Sequence, residues 1–130
     1  MTKKPQEAVI TFYTKDSEKI NLHCEIAKNL FQKMKGLMHR ESLPDDQGML
    51  FTFLIPWHRF FWMKNVKIPI DIIFVNRNFE IISIHEAPVE SGVLYRNYWS
   101  HGLCKYVVET NMGFCEKNNI SKGSKIEIKK

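Results

Sequence analysis

The chain has 130 residues, 44% hydrophobic and 25% charged, which is the balance of an ordinary globular domain. Its net charge of +5 comes from 19 basic and 14 acidic side chains, with no compact Arg/Lys run threaded by aromatics, so a nucleic-acid surface is not expected. No apolar run reaches the ~20 residues of a membrane span, residues 1–8 are polar with no apolar leader after them, and the separated Cys24, Cys104 and Cys115 do not make a disulfide framework, so a reducing, cytoplasmic setting is expected.

Residues 1–7 read as a disordered tail and 8–130 as one β-rich domain. Ala8–Thr14 and Lys19–Ile26 alternate apolar and polar residues around a turn at Asp16-Ser17, which predicts a hairpin. A helical stripe follows at Ala27, Leu30, Phe31, Met34, Leu37 and Met38. Asn29 with Gln32 three residues on forms a capping box, so the helix should start at Leu30, and Gly36 should end it. Arg40–Gly48 is a polar loop.

Met49–Ile55 is a predicted strand stopped by Pro56, with Arg59–Lys64 and Ile68–Val75 as the next two. Asn76-Arg77-Asn78 predicts a hairpin turn into Phe79–His85. Residues 88–104 show no period, but Tyr95, Tyr98 and Trp99 argue for an ordered loop lying over the sheet. Lys105–Thr110 is a strand. Asn111 is expected to cap a short helix reaching Asn118, with Asn119 as its stop and Ile120 as the contact after it; Lys125–Ile128 closes the chain. The sum is an α+β, mainly β domain: a small β-barrel or sandwich with two short helices.

The stretch from Trp57 to Val75 holds the densest aromatic content and ends in an apolar run containing one acid. Alternation puts Ile68, Ile70, Ile72 and Phe74 on one face and Pro69, Asp71, Ile73 and Val75 on the other. A carboxylate in that setting needs a partner or water, because burying it alone costs several kcal/mol. A bend around Asn65–Lys67 would bring Lys64 back towards Asp71.

Several blocks coincide in order: Gly36-Leu37-Met38-His39-Arg40-Glu41-Ser42-Leu43, Gly48-Met49-Leu50-Phe51, Phe61-Trp62-Met63-Lys64-Asn65, Ile68-Pro69-Ile70-Asp71-Ile72-Ile73-Phe74, Ala87-Pro88 and Tyr106-Val107-Val108-Glu109. Together they resemble the prokaryotic family catalogued as domain of unknown function 192, from about Ala27 to Ile128. The resemblance implies a compact β-rich fold and brings no established activity, cofactor or catalytic set. Family members often carry Thr where this chain has Val66 and Asp where it has Ser124. Many of them look exported.

Four sets of residues carry potential chemistry. Arg40, Lys64, Asn65, Asp71 and Glu109 are polar groups on apolar segments, expected to gather either as a network fixing strand register or as a small polar pocket. In a pocket, Arg40 and Lys64 would supply charge and Trp62 or Trp99 a stacking wall. His101 and Cys104 have a ligand-like i, i+3 spacing, but His23, Cys24, His58, His85 and Cys115 complete no tetrahedral zinc pattern. Cys104 beside His101 shows only the proximity that nucleophilic catalysis would need. Trp57, Phe60, Phe61, Trp62, Tyr95, Tyr98 and Trp99 are either core packing or a partner surface.

The expected function is a non-catalytic, monomeric binding module for a small polar or anionic molecule or a protein segment. Its site would be Arg40, Trp62, Lys64, Asn65, Asp71, Trp99 and Glu109, with no metal or cofactor. Alternatives are a hydrolase or transferase with Asp71 or Glu109 as general base, and a purely structural domain.

Overall fold

The computed structural model describes residues 6–130. The strands are β1 (Glu7–Tyr13), β2 (Lys19–Ala27), β3 (Gln47–Trp57), β4 (Phe60–Phe61), β5 (Ile70–Val75), β6 (Ile81–Ala87), β7 (Tyr98–Trp99), β8 (Cys104–Asn111) and β9 (Ile126–Lys129). Two short helices, α1 (Leu30–Lys35) and α2 (Phe114–Lys117), complete the elements. The mainly β fold with two short helices matches the sequence reading. Residues 1–5 of the expected tail lie outside the described residues. Gln6 and Glu7 are not tail: β1 starts at Glu7, and the Gln6 carbonyl accepts from Ile26 N–H at 2.7 Å.

Seven strands form one sheet in the order β6-β5-β8-β3-β2-β1-β9, and β4 and β7 form a separate ribbon. The sheet curls until its two ends meet. Glu80 bridges Lys125, Ile81 N–H donates to the Ser124 carbonyl, and Ile126 N–H donates to the Phe79 carbonyl. The result is a half-barrel, which leaves the two faces in different surroundings. Inside lie Ile10, Phe12, Leu22, Leu50, Ile73, Val75 and Val108, closed over by Phe114 and Cys115 of α2. Outside lie Met49, Phe51, Ile70, Ile72, Phe74 and Val107, covered by Leu37, Leu43, Met63, Val66 and Ile68. Each such side chain, fully buried, contributes roughly 1.5–3 kcal/mol.

Two connections decide where a site can form. β2 and β3 run parallel, so the chain between them must cross over, and that crossover carries α1. Asn29 accepts from Gln32 N–H at 2.8 Å and Gln32 Oε1 accepts from Asn29 N–H at 3.3 Å, which is the expected capping box. Yet no residue of α1 is buried. Of the apolar stripe, Leu30, Phe31 and Met34 face open space, and only Ala27 and Leu37, beyond the two ends of the helix, are buried.

Several predicted boundaries shift for identifiable reasons. β3 runs through Pro56, because the pairing with β8 breaks register between Thr52 and Trp57 and needs no Pro N–H there. The strand expected over Arg59–Lys64 shrinks to Phe60–Phe61, paired with Tyr98 and Trp99 of the loop. Asn111 does not cap α2. It donates to the Leu43 carbonyl, and the cap is Gly113 at φ +94°. Asn119 is the left-handed stop at φ +55°, and the buried Ile120 follows it, as expected.

Candidate functional site

Glu109 lies in β8 at the centre of the sheet, with Met49 on one side and Ile72 on the other. Alternation along β8 sends Val108 inside and Glu109 outside. Its side chain is 4% exposed. It accepts no hydrogen bond and forms no ion pair among the described residues. Burial alone pushes its carboxyl up to about 8, so it holds its proton at neutral pH.

This carboxyl forms the floor of a groove of about 390 Å³. Leu30 and Met34 of α1, Phe51 and Phe53 of β3, and Phe61 and Trp62 make its apolar walls. Gly36 sits at the floor with φ +46°, and a Cβ there would lie 3.3 Å from the Phe51 ring and 3.7 Å from Glu109 Oε1. Phe61 packs edge-on against both Phe51 and Phe74, which fixes that wall.

Two cations share the rim. Lys33 Nζ stands 4.3 Å from the centroid of the Phe53 ring, and the Arg59 guanidinium carbon 3.7 Å from it. Arg59 donates to the Ile55 carbonyl at 2.6 Å, but its Nε is buried without a partner. No carboxylate pairs with either cation among the described residues. Burial, and then the charge of Arg59, lower the Lys33 pKa.

The opposite face is different. Asp71 of β5 is buried on the inner side, and its oxygens accept from Gly113 N–H at 3.3 Å and Cys115 N–H at 3.0 Å. Burial raises its pKa, and those two bonds oppose the rise. A hollow of about 620 Å³ lies beside it, also lined by Ser83, His85 and Glu86. Two of its polar groups are engaged elsewhere: Ser83 donates to the Ser100 carbonyl at 2.7 Å, and a His85 ring nitrogen bonds the Trp99 carbonyl at 2.7 Å.

The polar set expected to gather does not gather. Asp71 and Glu109 are on opposite faces of the sheet. Arg40 is drawn to Glu25 of β2 at 2.6 Å, with both side chains about a third exposed. Lys64 is exposed, with its ammonium 5.4 Å from the Trp62 ring and not near Asp71. Asn65 is exposed at φ +59°, and its carbonyl accepts from His39 N–H. Trp99 packs on Phe60 at 4.9 Å, outside the groove. Of the seven residues read from sequence, only Trp62 and Glu109 line this groove.

Lys33, Arg59, Gly36, Phe51 and Phe53 were not singled out by sequence. One signal was available for Lys33, which sits between Leu30 and Leu37 at i+3 and i−4, inside the stripe of a helix too short to hold itself. Cys104 is fully buried, and burial pushes its thiol up to about 11, so it is not a thiolate nucleophile near neutral pH. Among the described residues, no group of three or more His, Cys, Asp or Glu side chains is placed to hold a metal ion.

The solved structures similar to this chain include a protein from Sinorhizobium meliloti 1021 described as a candidate transcription regulator. It has a TM-score of 0.89 and 28% identity, with 98% of each chain covered. A protein of unknown function from Novosphingobium aromaticivorans DSM 12444 has a TM-score of 0.81 and 32% identity, covering 92% of this chain and 83% of its own. No curated protein matches. The model of domain of unknown function 192, described as an uncharacterised ACR, matches residues 11–128. With nearly its whole length matched, the chain belongs to that family.

Proposed function

We propose that the outer-face groove binds a small amphipathic anion. The supporting observation is Glu109: a carboxyl that no group among the described residues bonds, 4% exposed and open to an aromatic-walled recess. A group left unpaired in the middle of a sheet costs stability, and a ligand that accepts its O–H would remove that cost. The walls suit an apolar body. Lys33 and Arg59, held on one ring with no acid between them, suit an anionic end. The volume is at the small end for ligand pockets.

Decanoate is a suitable probe, because it carries one carboxylate on an unbranched chain. In an NMR titration its addition should perturb the amides of Gly36, Phe51 and Phe53 and the Trp62 indole, saturably. Lys33→Ala and Arg59→Ala should each weaken it by about tenfold, the scale of one charge-assisted hydrogen bond. Affinity should fall above pH 8, where ionised Glu109 repels the anion, and Glu109→Gln should abolish that fall. No saturable perturbation of these groups, or affinity unchanged from the parent in both cation variants, contradicts the reading.

A second reading rests on the same carboxyl. A group held near pH 8 in a cleft also suits a general acid or base. The groove lining contains no Ser, Thr, Cys or Asp, and the two groups in it that could act as nucleophile or share the proton, Lys33 and His58, make no hydrogen bond or ion pair to Glu109 among the described residues. Binding without turnover is therefore the reading favoured here, and chemical change of a bound probe would reverse that preference. The Sinorhizobium protein's description is compatible with a domain that senses a small effector.

A further inference from the structure

One end of the sheet is apolar, exposed and free of acids. β3 runs past its break in register to Leu54, Ile55 and Trp57, which are 93%, 60% and 61% exposed. Trp57 pairs with Cys104, next to Leu103, itself half-exposed. Arg59 ties this tip to the β4–β7 ribbon. Its guanidinium donates to the Ile55 carbonyl, its N–H donates to Ser100 Oγ, and its carbonyl accepts from Ser100 N–H. The ribbon adds the exposed pair Phe60 and Trp99, packed at a tilt of 47°. These contacts make one continuous patch, larger than the scattered apolar residues of an ordinary surface.

The segments that build the patch carry charge of one sign. The two segments that build it, residues 47–70 and 91–108, contain no Asp or Glu. They contain Arg59, Lys64, Lys67, Arg96 and Lys105, with His58 and His101 in addition. Four acids flank them in sequence: Asp71 and Glu109 are buried, Asp46 precedes β3 at its other end, and Glu90 accepts from Arg96 N–H at 2.9 Å.

We infer that this end is a docking surface for an anionic lipid bilayer. Exposed Trp and Phe beside branched aliphatics match the interfacial layer of a membrane, where an apolar body enters and a polar rim stays in the headgroups. The surrounding cations match the negative surface of anionic lipids. A second copy of the chain is a poor occupant, because an isologous contact would set this cationic rim against itself. Nucleic acid is a poorer occupant: Trp57 and Trp99 could face bases, but Leu54, Ile55 and Leu103 offer neither a stacking face nor a charge and would stay in water. The inference goes beyond the groove: Leu54, Ile55 and Leu103 do not line it.

Vesicle flotation tests it. The full chain should float with vesicles of equal parts phosphatidylcholine and phosphatidylglycerol and not with phosphatidylcholine alone. All three tryptophans, Trp57, Trp62 and Trp99, are at or beside this end, so their fluorescence should shift to the blue on binding. Raised salt should release the protein. Leu54→Ser with Ile55→Ser, which adds no charge beside Arg59, should reduce flotation tenfold or more while leaving decanoate binding unchanged. Leu103→Glu, at an independent exposed position, should reduce it too. Absence of flotation with the anionic vesicles would overturn the inference, as would flotation undiminished in both variants. Preferential binding of polyglutamate or duplex DNA over the anionic vesicles would also overturn it, in favour of an acidic protein or a nucleic acid.

Discussion

Asp71 and Glu109 make an instructive pair. Each is a buried acid on a central strand, and each has apolar neighbours along its own strand. Asp71 faces the closed interior and accepts from two N–H groups at the start of α2, so its position is explained by architecture. Glu109 faces the outer side, where α1 crosses without packing down, and nothing in the chain explains it. Buried polar groups in folded proteins find partners as a rule. On the proposed reading, the inner acid is part of the scaffold, and the outer one faces a ligand that enters the groove.

The contrast can be broken most forcefully at Asp71. Asp71→Ala leaves two buried N–H donors without an acceptor and should cost about 2–4 kcal/mol, read as a lower denaturation midpoint with α2 loosened. A variant as stable as the parent would mean that Asp71 is not what holds α2.

Glu109→Gln should act in the other direction, and its effect should depend on pH. The folded carboxyl sits near 8 against an ordinary 4.5, so the folded state binds more protons than the unfolded state in that window. Stability contributed by this group therefore falls as pH rises from about 4.5 to 8 and levels off above. Gln does not titrate. The variant should gain on the parent through that range, reaching on the order of a few kcal/mol near pH 9 and little at pH 5. Parallel stability curves for the two proteins would contradict the assignment.

Arg40→Ala should have the smallest effect. Its bridge to Glu25 is short, but both partners are a third exposed, so the loss should be about 0–1 kcal/mol. The groove does not include Arg40, so decanoate binding should not change. A large loss of either stability or affinity would return Arg40 to a central role.

Much of the fold was legible because it is written in short-range patterns. Alternation put Ile70, Ile72 and Phe74 on one face and Asp71, Ile73 and Val75 on the other, and the core clusters divide the same way. The Asn29–Gln32 box fixed the start of α1, and Asn119 its counterpart's stop. Alternation along a strand does not say which faces of different strands coincide, because that depends on pairing. β8 lies between β5 and β3 although the sequence brings it after β6 and β7, and this order sets Glu109 opposite Ile72 and away from Asp71. Arg40 and Lys64 were expected to seek Asp71 because they were the available bases. Gly113 and Cys115 N–H groups satisfied it first, which no side-chain census would reveal. The stripe on α1 was read correctly as apolar but implied burial. A six-residue helix on a crossover has too few turns to be pressed onto the sheet, and its stripe became a wall of the groove.

The most direct measurement is the titration of the Glu109 carboxyl itself, followed by carbon NMR in the full chain, with Glu109→Gln used to assign the resonance. A midpoint near 8 is expected, moving upward when decanoate fills the groove, because its chain keeps water from the carboxyl and its anionic end opposes ionisation. A midpoint at the ordinary value near 4.5, unmoved by the probe, would mean that the carboxyl is solvated or paired, and the groove would lose its claim to be a site.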